Sequence, residues 1–464
     1  MHKIFGKTKT IHFIGIGGIG MSGMAELLHN HGFNITGSDI NISDRTLHLQ
    51  SLGIKISNGH DKKNINSANL IVYSSAVKSD NPEIIRGNEM DIPIIKRAEL
   101  LGELLKIKKT SIAISGTHGK TTTASMISSI LIEANLDPTI IIGGIVNQFN
   151  NNNISGLGDI IVAEADEFDK SFLSLNPTFS IVNNMELEHL DIYKDMEDLE
   201  NSFAQFANSI PFYGTTCIGI DCPGLTNMLP KVKKNYKTFG IKNKNADIIA
   251  ENISFNAHKS SFEAIIHNNK KININLNVPG LHNIYNALAA ITLSLEIGID
   301  TNNIIKGLKQ YNGVKRRFDI KYKNINNNIM LIDDYAHHPS EVEATIDAIK
   351  SGWKDRRIVT IFQPHLYSRT KEFYKDFSKA LIKSDVNILL PIYPAREEPI
   401  KNVSSKLIKN QLEIDNHIKT YNCEQKQDLP EIINRIKKDN DIIVFMGAGD
   451  IYKLIEPTYK KMNE

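Results

Sequence analysis

Short β-rich apolar runs alternate with helically spaced apolar positions in three parts of this chain, and each part opens on a strand that runs into a sharp turn. In the first, Thr10 to Ile14 reads as a strand, Met21 to His29 as a helix and Asn34 to Gly37 as a second strand, which makes a βαβ unit. In the second, the strand Ser111 to Ser115 leads into a helix from Thr121 to Ala134. Its Ile127, Ile130, Leu131 and Ala134 share one face, and Pro138 closes it. Asp159 to Val162 and Phe179 to Val182 are further strands. The third part collects Ile329 to Ile332, Ile358 to Phe362, Val386 to Leu390 and Ile442 to Phe445, with helical patterns between them. Buried-type strands separated by helices predict parallel sheets and an α/β fold. The basic cluster Lys106, Lys108, Lys109 and the Gly313 to Arg317 turn read as linkers, dividing the chain into residues 1–107, 108–314 and 315–464. Asparagine-rich Asn147 to Asn153, Asn243 to Asn245 and Asn324 to Asn328 read as loops that reflect composition.

A length of 464 residues suits about three domains of roughly 150 each. With 41% hydrophobic and 23% charged residues the chain can fold into globular cores. Its 54 Lys+Arg against 52 Asp+Glu leave a net charge of +2, which offers no surface for a nucleic-acid backbone or an anionic membrane. Three cysteines, Cys217, Cys222 and Cys423, are too few and too irregularly spaced for a disulfide framework or a four-ligand zinc site, and they fit a reducing compartment as ordinary thiols. Lys3, Lys7 and Lys9 before the apolar run from Ile11 imitate a secretory signal. Gly15, Gly17, Gly18, Gly20 and Gly23, however, are spaced as a turn into a helix. No apolar stretch reaches about 18 residues. The expectation is a cytoplasmic protein without membrane insertion or a nucleic-acid partner, acting as a monomer or homodimer.

Gly15-Ile16-Gly17-Gly18-Ile19-Gly20 is a G-x-G-x-x-G between a strand and a helix, with Asp39 nineteen residues after Gly20. Such glycines let backbone approach a diphosphate at a helix N-terminus, and an acid at the end of the second strand can hold a ribose hydroxyl. The motif admits NAD, FAD, another nucleotide diphosphate, or plain helix packing.

Ser115-Gly116-Thr117-His118-Gly119-Lys120-Thr121-Thr122-Thr123 resembles a phosphate-binding P-loop, although the strict spacing would require glycine at Ile114. Backbone N–H groups would wrap the phosphates, Lys120 would neutralise them and the Thr121 hydroxyl would reach Mg²⁺. A metal would need hard oxygen ligands at neighbouring strand ends. The turn Glu164-Ala165-Asp166-Glu167-Phe168-Asp169 supplies acids there, or is a solvated acidic turn. His189, in Asn183 to Asp191, is a candidate metal or phosphate ligand after a second such strand end.

These residues together resemble the Mur ligases, ATP-dependent enzymes that add amino acids to the peptidoglycan precursor, over nearly the whole chain. Further stretches agree in order: Pro279-Gly280-Leu281-His282-Asn283-Ile284-Tyr285-Asn286, Arg316-Arg317-Phe318-Asp319, Asp333 to Glu341, Gln363-Pro364-His365 and Gly447-Ala448-Gly449-Asp450-Ile451. The glycine turn, G-T-H-G-K-T-T-T, E-A-D-E and the H-L-D turn are most similar to the branch that joins L-alanine to UDP-N-acetylmuramate.

The resemblance implies a Rossmann-like N-terminal domain for the UDP-sugar, a central P-loop-type mononucleotide-binding α/β domain for ATP, and a C-terminal Rossmann-like domain for the amino acid. It assigns Gly116, Thr117, His118, Gly119, Lys120, Thr121 and Thr122 to the ATP phosphates. Thr121 and Glu164 go to one Mg²⁺, and His189 to a second metal. Arg317 would bridge to the phosphates, with His282, Asn283 and Asn286 near the nucleotide. Gly17, Gly18, Ile19, Gly20, Met21 and Ser22, with Ser74 and Ser75, would face the UDP-sugar. Tyr335, His365 and Arg369 would hold L-alanine.

Two departures matter. Leu366 stands where many of these ligases have arginine, and 200–209 contains no lysine of the kind that related ligases carbamoylate. Other classes fit less of the chain. A dehydrogenase explains only Gly15 to Asp39. A folylpolyglutamate-type ligase lacks this N-terminal domain, and a murein-tripeptide ligase is expected to differ in the glycine turn. A switch GTPase would want N-K-x-D, and Asp247 falls one residue late after Asn243-Lys244.

Overall fold

The computed structural model describes residues 5–149, 151–187, 192–266, 270–324, 327–395, 397–416 and 419–464. Three sheets give a three-domain α/β architecture. The first is wholly parallel, in the order Lys55–Asn58, Asn34–Asp39, Thr10–Ile14, Leu70–Tyr73, Ile94–Lys96. Strand order reverses beside Thr10–Ile14, so the loops after it and after Leu70–Tyr73 diverge at the carboxyl ends, where such sheets bind ligands.

The second sheet runs Lys270–Leu276, Lys259–Ile266, Ile248–Asn256, Tyr236–Gly240, Thr216–Gly219, Phe179–Val182, Thr110–Ser115, Ile160–Glu164, Thr139–Val146, Asn151–Ile154. Thr110–Ser115 lies parallel between Phe179–Val182 and Ile160–Glu164, which is its switch point. In the third, Asp319–Lys323 pairs antiparallel with Met330–Asp334, followed in parallel by Ile442–Met446, Ile358–Phe362, Val386–Leu389 and Lys419–Asn422. Each strand read from the sequence is present, with ends unchanged or moved by at most two residues.

The chain forms two compact units. The first holds residues 1–251, 263–273 and 285–310, and the second 252–262, 274–284 and 311–464. In the first unit one apolar cluster runs from Ile11 and Phe13 of the N-terminal sheet and Leu28 of the helix Ile19–Asn30 to Phe172, Phe203 and Phe206 beside the central one. No helix among the described residues is long and apolar enough to cross a membrane.

Two sequence readings need correction. The helix Lys120–Glu133 does not bury one face alone, since 122–131 are all buried. Ser129 Oγ donates to Gly307 O at 2.7 Å from the helix Thr301–Gln310, which covers the outer side. Ser125 and Ser128 spend their hydroxyls on Thr121 O and Ala124 O, so polar side chains fit inside. Nor is Asn147 to Asn153 only a loop, because Asn151–Ile154 pairs antiparallel with Thr139–Val146. Asn153 Nδ2 donates to Gly23 O at 2.6 Å and Asn152 Nδ2 to Ile19 O at 3.2 Å. These amides serve carbonyls of the helix after the glycine turn, a task that an apolar edge residue could not perform. Asn243–Asn245 is a loop as read, while 325 and 326 lie outside the described residues.

Phe172 is fully buried, edge-on to Phe203 and stacked on Phe206 at 5.1 Å. Phe172→Ala should therefore cost about 3–5 kcal/mol. Denaturant titration should show a lowered midpoint, and an unchanged one would mean the ring adds nothing to this core.

Candidate active site

The glycine turn folds onto the end of the neighbouring strand. Gly15 N and Ile16 N donate to Ser38 O at 2.8 and 3.1 Å, and Gly17 N donates to Asp39 Oδ2 at 2.8 Å. Asp39 Oδ1 accepts from Asn41 N, so this acid braces the turn through both oxygens. The helix Ile19–Asn30 then starts, with Gly18, Ile19 and Gly20 at its head and Met21 and Ser22 buried. Ser74 flanks the turn from the next strand end, a Cβ on Gly15 falling 3.3 Å from its own, and Ser75 beside it is exposed. Two cations that the sequence reading missed lie here. Arg45 Nη1 donates to Gly17 O at 3.4 Å, and the Arg97 guanidinium lies against Gly20. Neither belongs to a local motif, because each comes from a different helix.

The second turn follows Thr110–Ser115 and is shaped by its neighbour. Asn183 and Asn184, at the end of Phe179–Val182, hold it. His118 N donates to Asn184 Oδ1 at 2.8 Å, Thr117 N to Asn184 O at 3.2 Å, and Asn183 Nδ2 to Thr123 Oγ1 at 3.0 Å. Gly119 adopts φ +80° ahead of the helix. Asn286 Oδ1 would lie 2.3 Å from a Cβ there, so only glycine fits. Asn286 is buried and accepts from Thr123 Oγ1 at 3.2 Å, which puts it behind the loop.

Lys120 Nζ donates to Gly116 O at 2.7 Å, Thr117 O at 3.3 Å and Glu167 Oε2 at 2.7 Å. Burial would lower this ammonium's pKa, but Glu167, Asp166 and Glu164 outweigh it and raise it. Burial pushes Glu167 up to about 7 despite Lys120. Glu164 Oε1 accepts from Gly143 N at 2.6 Å, and burial raises this carboxyl although the Gly143 N–H, Thr121 and Lys120 each lower it. Thr122 is buried one residue on. His118 Nε2 lies 3.2 Å from Glu186 Oε2. His189, with 188–191, lies outside the described residues.

In the second unit adjacent arginines take different surroundings. Arg316, at φ +61°, is sandwiched between the rings of Tyr335 and Tyr452, with Nη2 donating to Gly447 O at 2.7 Å. Arg317 lies over the Tyr335 ring and 3.5 Å from Glu341 Oε1. Glu341 Oε2 also accepts from His337 N at 3.0 Å. Tyr335, His337, His365 and Tyr393 form a row of rings with centroids 5.3 to 5.8 Å apart. Tyr335 and His365 are thus brought together. Arg369, half-buried in the first turn of Tyr367–Leu381, makes no hydrogen bond or ion pair among the described residues. Leu366 sits at φ +70° with its N–H on Tyr393 O. Asn283 Nδ2 donates to Pro279 O at 2.6 Å. Burial, aided by Arg317 and opposed by Glu341, pushes His282 down to about 4.

Three family descriptions match in chain order: the Mur ligase family catalytic domain over residues 10–109, the Mur ligase middle domain over 114–294 and the Mur ligase glutamate ligase domain over 316–449. A Geotalea daltonii protein named UDP-N-acetylmuramate–L-alanine ligase is 43% identical over 461 residues, 99% of this chain and 100% of that one. The chain belongs to the Mur ligase family. This Mur ligase also resembles the solved UDP-N-acetylmuramate-alanine ligase of Thermotoga maritima, with TM-score 0.84 and 30% identity over 98% of this chain and 99% of that one. A solved murein peptide ligase from Psychrobacter arcticus matches with TM-score 0.72 and 25% identity over 98% and 99%.

Residues that sequence reasoning passed over are Asn183, Asn184, Glu186, Arg45, Arg97 and Glu341, and Glu167 was read only as one of the acids of its turn. The asparagines carried a signal, since they follow a strand that the parallel sheet places beside the P-loop strand. Glu341 lay inside a stretch already matched to the Mur ligases, without a role of its own.

His282 generates a pH prediction for this Mur ligase. Below about pH 6.5 the unfolded ring takes up a proton that the folded ring refuses until about 4. Its contribution is full above 6.5 and is lost as pH falls, by about 1.4 kcal/mol per unit. His282→Asn should flatten stability against pH across that window, as read by denaturant titration, whereas a slope equal to the parent's would contradict it.

Proposed function

We propose that this Mur ligase joins L-alanine to the lactyl carboxylate of UDP-N-acetylmuramate at the expense of ATP, the first amino-acid addition in peptidoglycan precursor synthesis. Full-length likeness to relatives bearing that name carries the reading. The two phosphate-type turns supply matching chemistry, one for a nucleotide diphosphate and one with lysine, threonine and glutamate for a triphosphate.

A carboxylate does not acylate an amine directly, because oxide or hydroxide would have to leave. Transfer of the γ-phosphoryl of ATP to the lactyl carboxylate gives an acyl phosphate, and the amine of L-alanine then displaces phosphate. Positioning and charge stabilisation are the main tasks in such a transfer. In this reading Gly116 to Thr122 cradle the phosphates, Lys120 neutralises them, and Arg317 is assigned to the transferring group. Asn286 supports the loop from behind, while His282 and Asn283 are assigned to the adenosine side.

Thr121 and Glu164 offer hard oxygens close enough for Thr121 to lower the Glu164 carboxyl, which suits Mg²⁺. When bound, that ion neutralises charge on the phosphate oxygens. His189 is assigned to a second metal by the family likeness. The Gly17 to Ser22 turn, Ser74 and Ser75 are assigned to the UDP-sugar, with Arg45 and Arg97 as cations for its diphosphate. Tyr335, His365 and Arg369 are assigned to L-alanine, whose carboxylate suits the guanidinium of Arg369, unpaired among the described residues. The division of labour follows residues 1–107, 108–314 and 315–464. The enzyme is proposed to act in the cytoplasm as a monomer or homodimer, without membrane insertion or a nucleic-acid partner.

Phosphate release from ATP with UDP-N-acetylmuramate should require an amino acid, with L-alanine above glycine and L-serine and with the murein tripeptide inactive. Equal release without any amino acid would sink the reading, and turnover with the tripeptide alone would move it to the recycling ligases. Lys120→Ala should abolish phosphate release and leave UDP-sugar binding nearly intact.

A further inference from the structure

The loop after Ile160–Glu164 is built around one carboxylate to which the reaction above gives no task. Its chain is held at several points. Asp166 O accepts from Phe172 N at 2.9 Å and from Ser171 Oγ at 2.9 Å. Glu167 O accepts from Lys170 N at 3.1 Å and from the hydroxyl of the buried Tyr193 at 2.7 Å. Asp169 and Lys170 both adopt left-handed conformations, at φ +56° and +52°, and so reverse the chain directly after Glu167. Two consecutive residues in that region cost energy that the surrounding bonds must offset. The result is a Glu167 side chain only 4% exposed, with Oε2 placed 2.7 Å from Lys120 Nζ.

We propose that Glu167 is a positioning residue for the phosphate-binding lysine: it holds the Lys120 ammonium against the carbonyl oxygens of Gly116 and Thr117 and yields it to nucleotide phosphate. The inference rests on reading Gly116 to Thr122 as the ATP site. An ammonium only 16% exposed and lacking a counter-ion would be costly, so the pair keeps the loop in its binding shape. Arriving phosphates carry the same sign as Glu167 and compete for the same ammonium. The carboxylate therefore lowers nucleotide affinity while it fixes the direction of Lys120, and its removal separates the two effects. Lys170 contributes to the same fixation through Asp198 Oδ1 at 2.7 Å, which ties the reversed chain to the helix Met196–Ala207.

The test measures ADP affinity by calorimetry and kcat by phosphate release on the full-length enzyme. Glu167→Gln should bind ADP about threefold to tenfold more tightly while kcat falls about tenfold or more, since the lysine then has a neutral amide oxygen in place of its counter-ion and is held less firmly. Glu167→Asp should recover part of both. Tyr193→Phe, which removes only the bond to the Glu167 carbonyl, should shift both in the same direction by less and serves if Glu167→Gln does not fold. Unchanged or weakened ADP binding in a folded variant overturns the proposal, because a merely structural carboxylate would lower stability without raising affinity. Lys120→Ala separates the premises. If it leaves ADP binding intact, the ATP-site reading fails; if it abolishes binding while Glu167→Gln changes nothing, only the role of Glu167 fails.

Discussion

A strand that must pass through left-handed glycine to begin a helix is the constraint on which the central domain is organised. Gly119 has no room for a side chain because Asn286 stands behind it, and Asn286 is there because Thr123 on the new helix bonds it. Asn183 and Asn184 complete the backing by occupying the loop's own N–H and C=O groups on one side. Polar side chains fill a space where an apolar core would leave backbone groups unpaired. The parallel sheet makes this possible, since it sets the ends of Phe179–Val182 and Ile160–Glu164 on either side of the turn.

Charge follows the same local logic. A net +2 over 464 residues says little about a phosphate-handling protein when its cations are placed one by one. Lys120 faces Glu167 and two carbonyls, and Arg45 and Arg97 lie at the glycine turn. Arg316 and Arg317 are neighbours in sequence with different tasks. The positive φ of Arg316 turns it between two tyrosine rings and onto Gly447, while Arg317 keeps Glu341 as its partner. Two adjacent arginines therefore sit in two different environments, one fixed to backbone carbonyls between rings and one beside a carboxylate.

The asparagines at 151–153 show where composition misleads. Their run resembles the Asn-rich drift found elsewhere in the chain, yet Asn153 is buried and bonds the backbone of the helix Ile19–Asn30. Asn152 serves both Ile19 O and Ile142 O, the latter one residue before Gly143, whose N–H holds Glu164. Nothing local marks their service to the helix Ile19–Asn30, because those partners lie about 130 residues away in sequence. Glu167 was legible only as one acid among four in its turn.

By itself the sequence determined the elements and their order. Strands such as Thr10–Ile14, Phe179–Val182 and Ile358–Phe362 follow from short-range apolar pattern, and both glycine turns follow from residue types that few other conformations favour. It also determined the family, since motifs in register over the whole chain leave few alternatives. Tertiary structure alone decided which polar residue serves which turn: Asp39 for Gly17, Asn183, Asn184 and Asn286 for the ATP-type loop, Glu167 for Lys120. The reason is physical. Backbone pattern is written in neighbours along the chain, whereas satisfying a buried amide, carbonyl or ammonium depends on which distant strand end the sheet brings within about 3 Å.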